Sequence, residues 1–322
     1  MSSIPDPRIV SLGESLVDLI GRPDQSPAGG QHGVAYRAHA GGSPLNAAVA
    51  AARLGVPTAM LTRFSRDAFG ATLRHHLTSD RVDLRWAESG PEPTSLAVVT
   101  LDAEGRASYG FYRAETADVS YDPRPRPTLP SSVVVGNVSV SLLRPPARDA
   151  FRDIVTAHGR AGERRVTWVL DPNARPALWP DASAFLRELE AWTPLVDVVK
   201  TSDEDLANLG LPEEDAVTAF FTAGVEAVIV TAGPGGARLH RRGRPPLVTP
   251  GRDVEVADTV GAGDTFTAGL VTGMVELPPP REIDDDAWAA LLRRAVAASA
   301  ITCTRPGADP PNAEELREML EG

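Results

Sequence analysis

Hydrophobic positions along the chain follow two patterns, and these predict strands and helices in alternation. Short β-branched runs such as residues 133–136 and 227–231 are bounded by glycine or turn residues, which predicts buried strands. Longer segments rich in alanine and leucine, such as residues 46–54 and 288–302, predict helices. The two kinds of segment succeed each other over most of the sequence.

The predicted strands are residues 8–13, 16–20, 58–62, 82–86, 94–101, 107–112, 133–136, 165–170, 196–200, 227–231, 239–248 and 254–256. The predicted helices are residues 46–54, 67–79, 147–158, 182–191, 203–209, 213–223, 265–274, 288–302 and 314–319. We expect Ser43, followed by Pro44, to mark the start of the first helix.

Strands that alternate with helices are typical of a mostly parallel sheet with helices on both faces, so the predicted fold class is α/β. Residues 94–101 and 107–112 differ, because only a short glycine-containing loop joins them, and they predict a hairpin. We therefore predict a second, small antiparallel β lid. The predicted boundaries are 1–13, 41–93 and 122–322 for the α/β domain, and 14–40 and 94–121 for the lid.

Composition and charge narrow the possible partners. The net charge of −11 argues against a nucleic acid or an anionic membrane as a partner, since both require clustered cations. Lys200 is the only lysine among 32 basic residues, and the sequence alone gives it no catalytic role. No apolar run approaches the ~18 residues of a membrane span, and the first residues do not resemble a signal peptide. We expect a cytoplasmic protein.

Several common active-site motifs are absent. The single cysteine, Cys303, allows no intrachain disulfide, and we expect it to be a small buried apolar residue. The six histidines form no H-E-x-x-H zinc motif. The sequence also has no Walker A loop, no dinucleotide-binding G-x-G-x-x-G after the first strand and no G-x-S-x-G.

One segment does suggest chemistry, namely Gly261-Ala262-Gly263-Asp264 before the apolar helix 265–274. Small residues at a helix N-terminus let an anion approach the free backbone N–H groups. An acid beside such a site can accept the proton of a hydroxyl group while the N–H groups stabilise a transferred phosphoryl group. The alternative is that Asp264 only compensates the helix dipole.

The same segment, extended to Asp258-Thr-Val-Gly-Ala-Gly-Asp264, resembles the C-terminal signature of the ribokinase/PfkB family of sugar and nucleoside kinases. Gly41-Gly42-Ser-Pro-Leu-Asn46, followed by an alanine-rich helix, resembles the N-terminal signature of that family. The resemblance extends over essentially the whole chain. It implies a ribokinase-like fold and an ATP-dependent carbohydrate kinase.

The resemblance also implies roles for individual residues. Asp264 would be the catalytic base, and Gly261, Ala262 and Gly263 would form the anion hole. The sugar would contact one residue after the first strand, three residues of the N-terminal signature and two residues at the ends of later strands. These residues are Asp18, Gly41, Gly42, Asn46, Asn137 and Asp171. A turn carboxylate and a helix cap remain the alternatives for Asp18 and Asn46.

Within the family the sequence is most similar to bacterial fructokinases. The segments that carry this similarity are Gly13-Glu14, Phe111-Tyr-Arg113, Asp171-Pro-Asn-Ala-Arg175 and Thr302–Ala308. Arg113 and Arg175 could instead bind a substrate carboxylate, as in 2-keto-3-deoxygluconate kinases, or form surface ion pairs. A nucleoside kinase and a non-catalytic sugar or nucleotide sensor remain alternatives.

The resemblance implies nucleotide and metal sites as well. Ser202, Thr231, Gly233 and Gly236, with Gly263, would contact ATP. Asp205 would contact Mg²⁺ through a water molecule. The alternative is that Asp205 is only an acidic residue in the first turn of its helix. Asp258, Val260 and Gly307 would hold a monovalent cation such as K⁺. The expected partners are a small sugar and ATP, and a homodimer could form through the lid edges.

Overall fold

The computed structural model describes residues 5–21, 35–101, 107–137, 144–159, 166–175 and 181–322. Its strands are β1 (Ile9–Leu12), β2 (Leu16–Gly21), β3 (Tyr36–Gly41), β4 (Thr58–Leu61), β5 (Arg63–Ser65), β6 (Glu88–Gly90), β7 (Ser95–Leu101), β8 (Ala107–Tyr112), β9 (Ser132–Asn137), β10 (Val166–Asp171), β11 (Val198–Ser202), β12 (Ala227–Thr231), β13 (Ala237–Arg241) and β14 (Arg244–Thr249).

The described helices are α1 (Ser43–Arg53), α2 (Ala68–Ser79), α3 (Ala147–His158), α4 (Ala182–Trp192), α5 (Asp203–Leu209), α6 (Glu213–Thr222), α7 (Ala262–Met274), α8 (Asp285–Cys303) and α9 (Ala313–Glu321). Within the described ranges, no helix combines the length and apolar character that a membrane span requires.

The central sheet has eight strands in the order β14-β13-β12-β11-β10-β9-β1-β4. The strands from β12 to β4 pair in parallel, and β13 and β14 extend the sheet as an antiparallel meander. Parallel strands require crossovers, and the helices between them supply these. The α/β class predicted from the sequence is confirmed.

Alternate residues of the central strands pack into two separate cores, one on each face of the sheet. Val228 and Val230 join a cluster with Phe151 of α3. Ala227 and Ile229, which point to the opposite face, join a cluster with Leu270 of α7. Burial on both faces explains why these strands are continuously apolar in sequence.

A second sheet, in the order β3-β2-β7-β8, is built from the segments that the sequence assigned to the lid. The β7–β8 pair is the predicted antiparallel hairpin. Strands β2 and β3 are also antiparallel, although the sequence does not predict β3 as a strand, and β2 and β7 run parallel. Each antiparallel pair is formed by strands adjacent in sequence. The β2–β7 pairing joins two insertions far apart in the chain, so no turn fixes its direction.

The predicted strand 239–248 is two antiparallel strands, β13 and β14, because the chain turns at Gly243, which has φ of +71°. Two further predicted strands are wrong. Residues 82–86 contribute one isolated bridge, between Ala59 and Asp83, because the Asp83 carboxylate accepts a hydrogen bond from the backbone N–H of Arg85 and turns the chain. Residues 254–256 form no strand. Val256 is 57% exposed, so its apolar side chain does not mark a buried strand.

Candidate active site

The predicted site residues of the central sheet lie where its parallel strands end. Asp171 ends β10, Ser202 ends β11 and Thr231 ends β12. Asn137 ends β9, and its side chain lies outside the described residues. Ligands of open α/β sheets bind beyond the carboxyl ends of the strands, so these residues border the expected binding cleft.

Helix α7 begins directly at the small-residue segment. Gly261 is its N-cap with φ of +75°, and Ala262, Gly263 and Asp264 form the first turn. A Cβ atom on Gly261 would lie 2.6 Å from Cβ of Ala308, so this turn packs too closely for a side chain at its start. The N–H group of Ala262 donates to the backbone oxygen of Thr259 at 3.2 Å. The other N–H groups of the turn and the positive end of the helix dipole favour an anion here.

Asp264 is held by two side chains of α1. Asn46 Nδ2 donates to Asp264 Oδ2 at 2.8 Å, and Ser43 Oγ donates to Asp264 Oδ1. Helix α1 begins at Ser43, as expected from the sequence, although Gly42 occupies the N-cap position. Both carboxylate oxygens accept hydrogen bonds, which fixes the orientation of the Asp264 side chain.

The lid contributes Asp18 from β2, which lies against the end of β3. A Cβ atom on Gly41 would lie 2.1 Å from Asp18 Oδ2. Burial, together with the nearby carboxylates of Glu14 and Asp264, raises the pKa of Asp18 to about 6, against an opposing effect of Arg113. Asp18 is therefore electrostatically coupled to the candidate base.

Arg113, a predicted substrate ligand, is buried in an ion cluster. Its Nη2 atom lies 3.1 Å from both Glu14 Oε2 and Asp118 Oδ2, and the residue is 6% exposed. Asp118 also accepts hydrogen bonds from Ser95 and Thr116. Two carboxylates already compensate the guanidinium charge, so this geometry supports a positioning role between lid and site.

Glu14 is the member of this cluster closest to the signature residues. A Cβ atom on Gly42 would lie 3.0 Å from the backbone oxygen of Glu14, which explains the glycine with φ of +104°. Burial raises the pKa of Glu14, and Arg113 opposes this effect.

Asp171 is buried and paired with a lysine. Lys200 Nζ donates to Asp171 Oδ2 at 2.8 Å, and each side chain is 4% exposed. A Cβ atom on Gly263 would lie 3.4 Å from Lys200 Nζ, so the ammonium group also borders the first turn of α7. No local motif indicates that the single lysine of the chain lies beside the anion hole.

Asp205 has hydrogen-bond partners on both carboxylate oxygens. One oxygen accepts from Ser202 N–H in a capping box, and the other accepts from Ala174 N–H at 2.8 Å. Arg175 Nη1 lies 3.5 Å from Asp205, and the Arg175 side chain is 49% exposed. These contacts favour helix capping for Asp205, and its role with Mg²⁺ stays a prediction.

The described residues contain no group of three potential metal-binding His, Cys, Asp or Glu side chains. The predicted ATP loop follows β12. Gly233 and Gly236 have φ of +49° and +84°, and a Cβ atom on Gly236 would lie 2.0 Å from Thr249 O. Thr231 Oγ1 donates to the backbone oxygen of Thr201, which joins the ends of β11 and β12.

The predicted monovalent-cation segments meet beside α7. The Asp258 carboxylate accepts from Val260 N–H at 3.1 Å and from Gly307 N–H at 2.9 Å. Because Gly261 packs against Ala308, an ion bound to these loops would shape the anion hole directly.

Sequence reasoning missed three residues of this site, namely Ser43, Glu14 and Lys200. The position of Ser43 was informative, since a serine inside the glycine-rich signature can donate a hydrogen bond to a site residue instead of capping the helix. Lys200 and Glu14 reach the site through strand pairing and burial, which a local motif does not reveal.

Comparisons with known proteins agree with this geometry. Residues 6–315 match the pfkB family of carbohydrate kinases. The chain is 32% identical to a fructokinase from Rhizobium leguminosarum bv. trifolii over 97% of this chain and 90% of the relative. It is 31% identical to fructokinase-1 from Zea mays over 97% of each chain.

A solved structure of a fructokinase from Vibrio cholerae O395, in a form that binds fructose, ADP and calcium ion, has the same fold. The two superpose with a TM-score of 0.82 at 27% identity and cover 98% of this chain and 99% of the other. The family resemblance seen in the sequence is confirmed, and the chain belongs to the pfkB family of carbohydrate kinases, which are ATP-dependent sugar kinases.

Proposed function

We propose that this carbohydrate kinase is a fructokinase, which transfers the γ-phosphate of ATP to D-fructose and forms fructose 6-phosphate. The observation that carries the proposal is Asp264, oriented by Ser43 and Asn46 at the open N-terminus of α7. The preference for fructose rests on the fructokinases at 31–32% identity over nearly the whole chain.

Asp264 accepts the proton of the attacking sugar hydroxyl in this proposal. The new bond forms between the sugar oxygen and the γ-phosphorus, while the bond to ADP breaks and ADP keeps the electron pair. The N–H groups at Gly261–Gly263 stabilise the phosphoryl oxygens as charge develops. Asp18 accepts hydrogen bonds from other hydroxyl groups and fixes which one faces Asp264.

Mg²⁺ would neutralise phosphate charge during the transfer. The Asp205 oxygens are already used by backbone N–H groups, so the residues suit an ion that enters with ATP and keeps most of its waters. We propose that K⁺ binds the carbonyl groups of Asp258, Val260 and Gly307. Measuring turnover with and without each ion tests both assignments.

The contacts of Arg113 argue against a sugar acid as the preferred substrate. A carboxylate ligand would compete with Glu14 and Asp118 for a buried guanidinium. Arg175 is the remaining candidate, since its side chain is half exposed. The oriented base likewise argues against a non-catalytic sensor, because sensing requires no proton acceptor.

The test is a coupled ADP-release assay with D-fructose, D-glucose, D-ribose, 2-keto-3-deoxygluconate and adenosine. We expect the highest kcat/KM with fructose, and phosphorus NMR of the product should identify the 6-phosphate. A higher kcat/KM with 2-keto-3-deoxygluconate would contradict the substrate assignment. No ADP release with any acceptor would favour the sensor.

A further inference from the structure

Lys200 lies at the junction of the central sheet and α7, where no sequence motif placed it. Its ammonium group contacts Asp171 Oδ2 at 2.8 Å and lies 3.4 Å from where a Cβ atom of Gly263 would be. The side chain is 4% exposed. A buried cation therefore faces the same turn whose N–H groups form the anion hole.

The ammonium group is only partly satisfied by protein. It has three N–H donors, and among the described residues its hydrogen-bond partner is the Asp171 carboxylate. A buried donor without an acceptor costs free energy. The remaining donors border Gly263, so an oxygen bound at the anion hole is a suitable acceptor.

The surrounding charges keep Lys200 protonated. Burial opposes the charged form, but the carboxylates of Asp171, Asp205 and Asp264 outweigh this effect and hold the pKa of Lys200 above its ordinary value. The group is thus a fixed positive charge beside the candidate base at neutral pH.

The residue type also fits the location. All the other basic residues of the chain are arginines, yet this position has the compact ammonium group. A planar guanidinium is wider and offers its donors in a fixed fork. The close approach to Gly263 suits a compact cation, which lies beside the turn and can reach a ligand oxygen bound there.

We propose that Lys200 donates a hydrogen bond to a γ-phosphate oxygen of bound ATP and stays with the phosphoryl group during its transfer. This inference rests on the proposed kinase function. Lys200 keeps its proton throughout, because the proton of the sugar hydroxyl goes to Asp264. Its contribution is electrostatic, and it adds a side-chain cation to a site made otherwise of backbone N–H groups.

The test compares two nucleotides by calorimetry in the absence of sugar. One is ADP and the other is adenylyl imidodiphosphate, a non-hydrolysable ATP analogue that has the third phosphate group. In Lys200→Met we expect the Kd of ADP to change by less than about 3-fold. The Kd of the analogue should rise by about 10- to 100-fold, the usual effect of losing a charged hydrogen bond.

A purely structural role makes a different prediction. Lys200→Met leaves Asp171 as an unpaired buried carboxylate, so Lys200→Met/Asp171→Asn provides a charge-balanced control. We expect the double variant to bind the analogue as weakly as Lys200→Met does and to bind ADP with the wild-type Kd. Recovery of analogue binding in the double variant, or equal weakening of both nucleotides in Lys200→Met, would overturn the proposal.

The outcome is separable from that of the proposed function, because the binding assay needs no sugar. If wild-type protein phosphorylates no sugar but Lys200→Met selectively loses the analogue, the kinase assignment fails and the Lys200 contact stands. If wild-type protein is an active kinase and Lys200→Met binds the analogue normally, only the Lys200 contact fails.

Discussion

Asp264 is the residue on which the proposed reaction depends most directly. It accepts hydrogen bonds from Ser43 and Asn46, which orient the carboxylate. We expect Asp264→Asn to lower kcat by about 10²- to 10⁴-fold, because an amide accepts no proton from the hydroxyl group. ATP affinity should change little, and steady-state kinetics with calorimetry measures both quantities.

Asp253→Asn is a matched control for that substitution. Asp253 is exposed and precedes the helix that begins at Ala262, outside the proposed machinery. Its replacement should leave kcat within about 2-fold of wild type. Near-full activity in Asp264→Asn would show that another group accepts the proton.

Asp18 should give folding stability a specific pH dependence. Its pKa is raised to about 6 from an ordinary 3.8, by burial first and then by Glu14 and Asp264. The folded state therefore holds this proton more tightly than the unfolded chain. The resulting stabilisation is complete below pH 3.8 and is lost as pH rises through about 6, a change of about 2–3 kcal/mol.

The comparison of wild-type protein with Asp18→Asn isolates this effect. Urea unfolding at several pH values gives both free energies of unfolding, and the neutral amide does not titrate. The free energy of unfolding of the wild-type protein minus that of the variant should decrease between about pH 4 and pH 7. A difference that stays constant over this range would contradict the raised pKa.

At the scale of elements, β2 and β3 are joined so closely that one glycine determines where Asp18 lies. A Cβ atom on Gly41 would lie 2.1 Å from Asp18 Oδ2, so Gly41→Ala must displace the carboxylate. We expect kcat/KM for the sugar to fall by roughly 10- to 100-fold, since small displacements in a binding site are costly. The KM for ATP should stay near wild type.

Gly110 of β8 supplies the control within the same sheet. A Cβ atom there would make an ordinary contact, 3.7 Å from the Tyr112 ring. Gly110→Ala should therefore keep sugar kinetics within about 2-fold of wild type. If both variants lose sugar affinity equally, the effect belongs to the lid sheet as a whole and not to Asp18.

The same scale shows what local patterns specify. Helices α3 and α5 and strand β12 have the predicted boundaries because their apolar spacing and caps are local properties. The pairing of β2 with β7 is not local, and neither is the contact of Ser43 with α7. Residues 82–86 resemble a strand, but the side chain of Asp83 turns the chain instead.

At the scale of the whole molecule, the lid sheet ends in β3 and β8, whose outer edges pair with no other described strand. Exposed edges favour pairing with another chain, and Tyr112 of β8 is 65% exposed. We expect a homodimer through the lid at micromolar concentration, measurable by sedimentation velocity. Tyr112→Lys should shift the protein towards the monomer.

Val248 of β14 allows a matched test, because it is also 65% exposed and also lies on an edge strand, that of the central sheet. Val248→Lys should leave the dimer intact. Dissociation by Val248→Lys and not by Tyr112→Lys would move the interface to the central sheet. A wild-type protein that sediments as a monomer would contradict the dimer itself.

The sequence by itself determined the α/β class, the separate lid and the carbohydrate kinase family, because strand and helix periodicity and the segment around Asp264 are contiguous in the chain. Only the tertiary structure decided that Ser43 serves Asp264 and that Arg113 is occupied by Glu14 and Asp118. It also placed the lone Lys200 against Gly263. Apart from the Arg113–Asp118 pair, these contacts join residues far apart in sequence. Burial and strand pairing, which no local pattern encodes, bring them together.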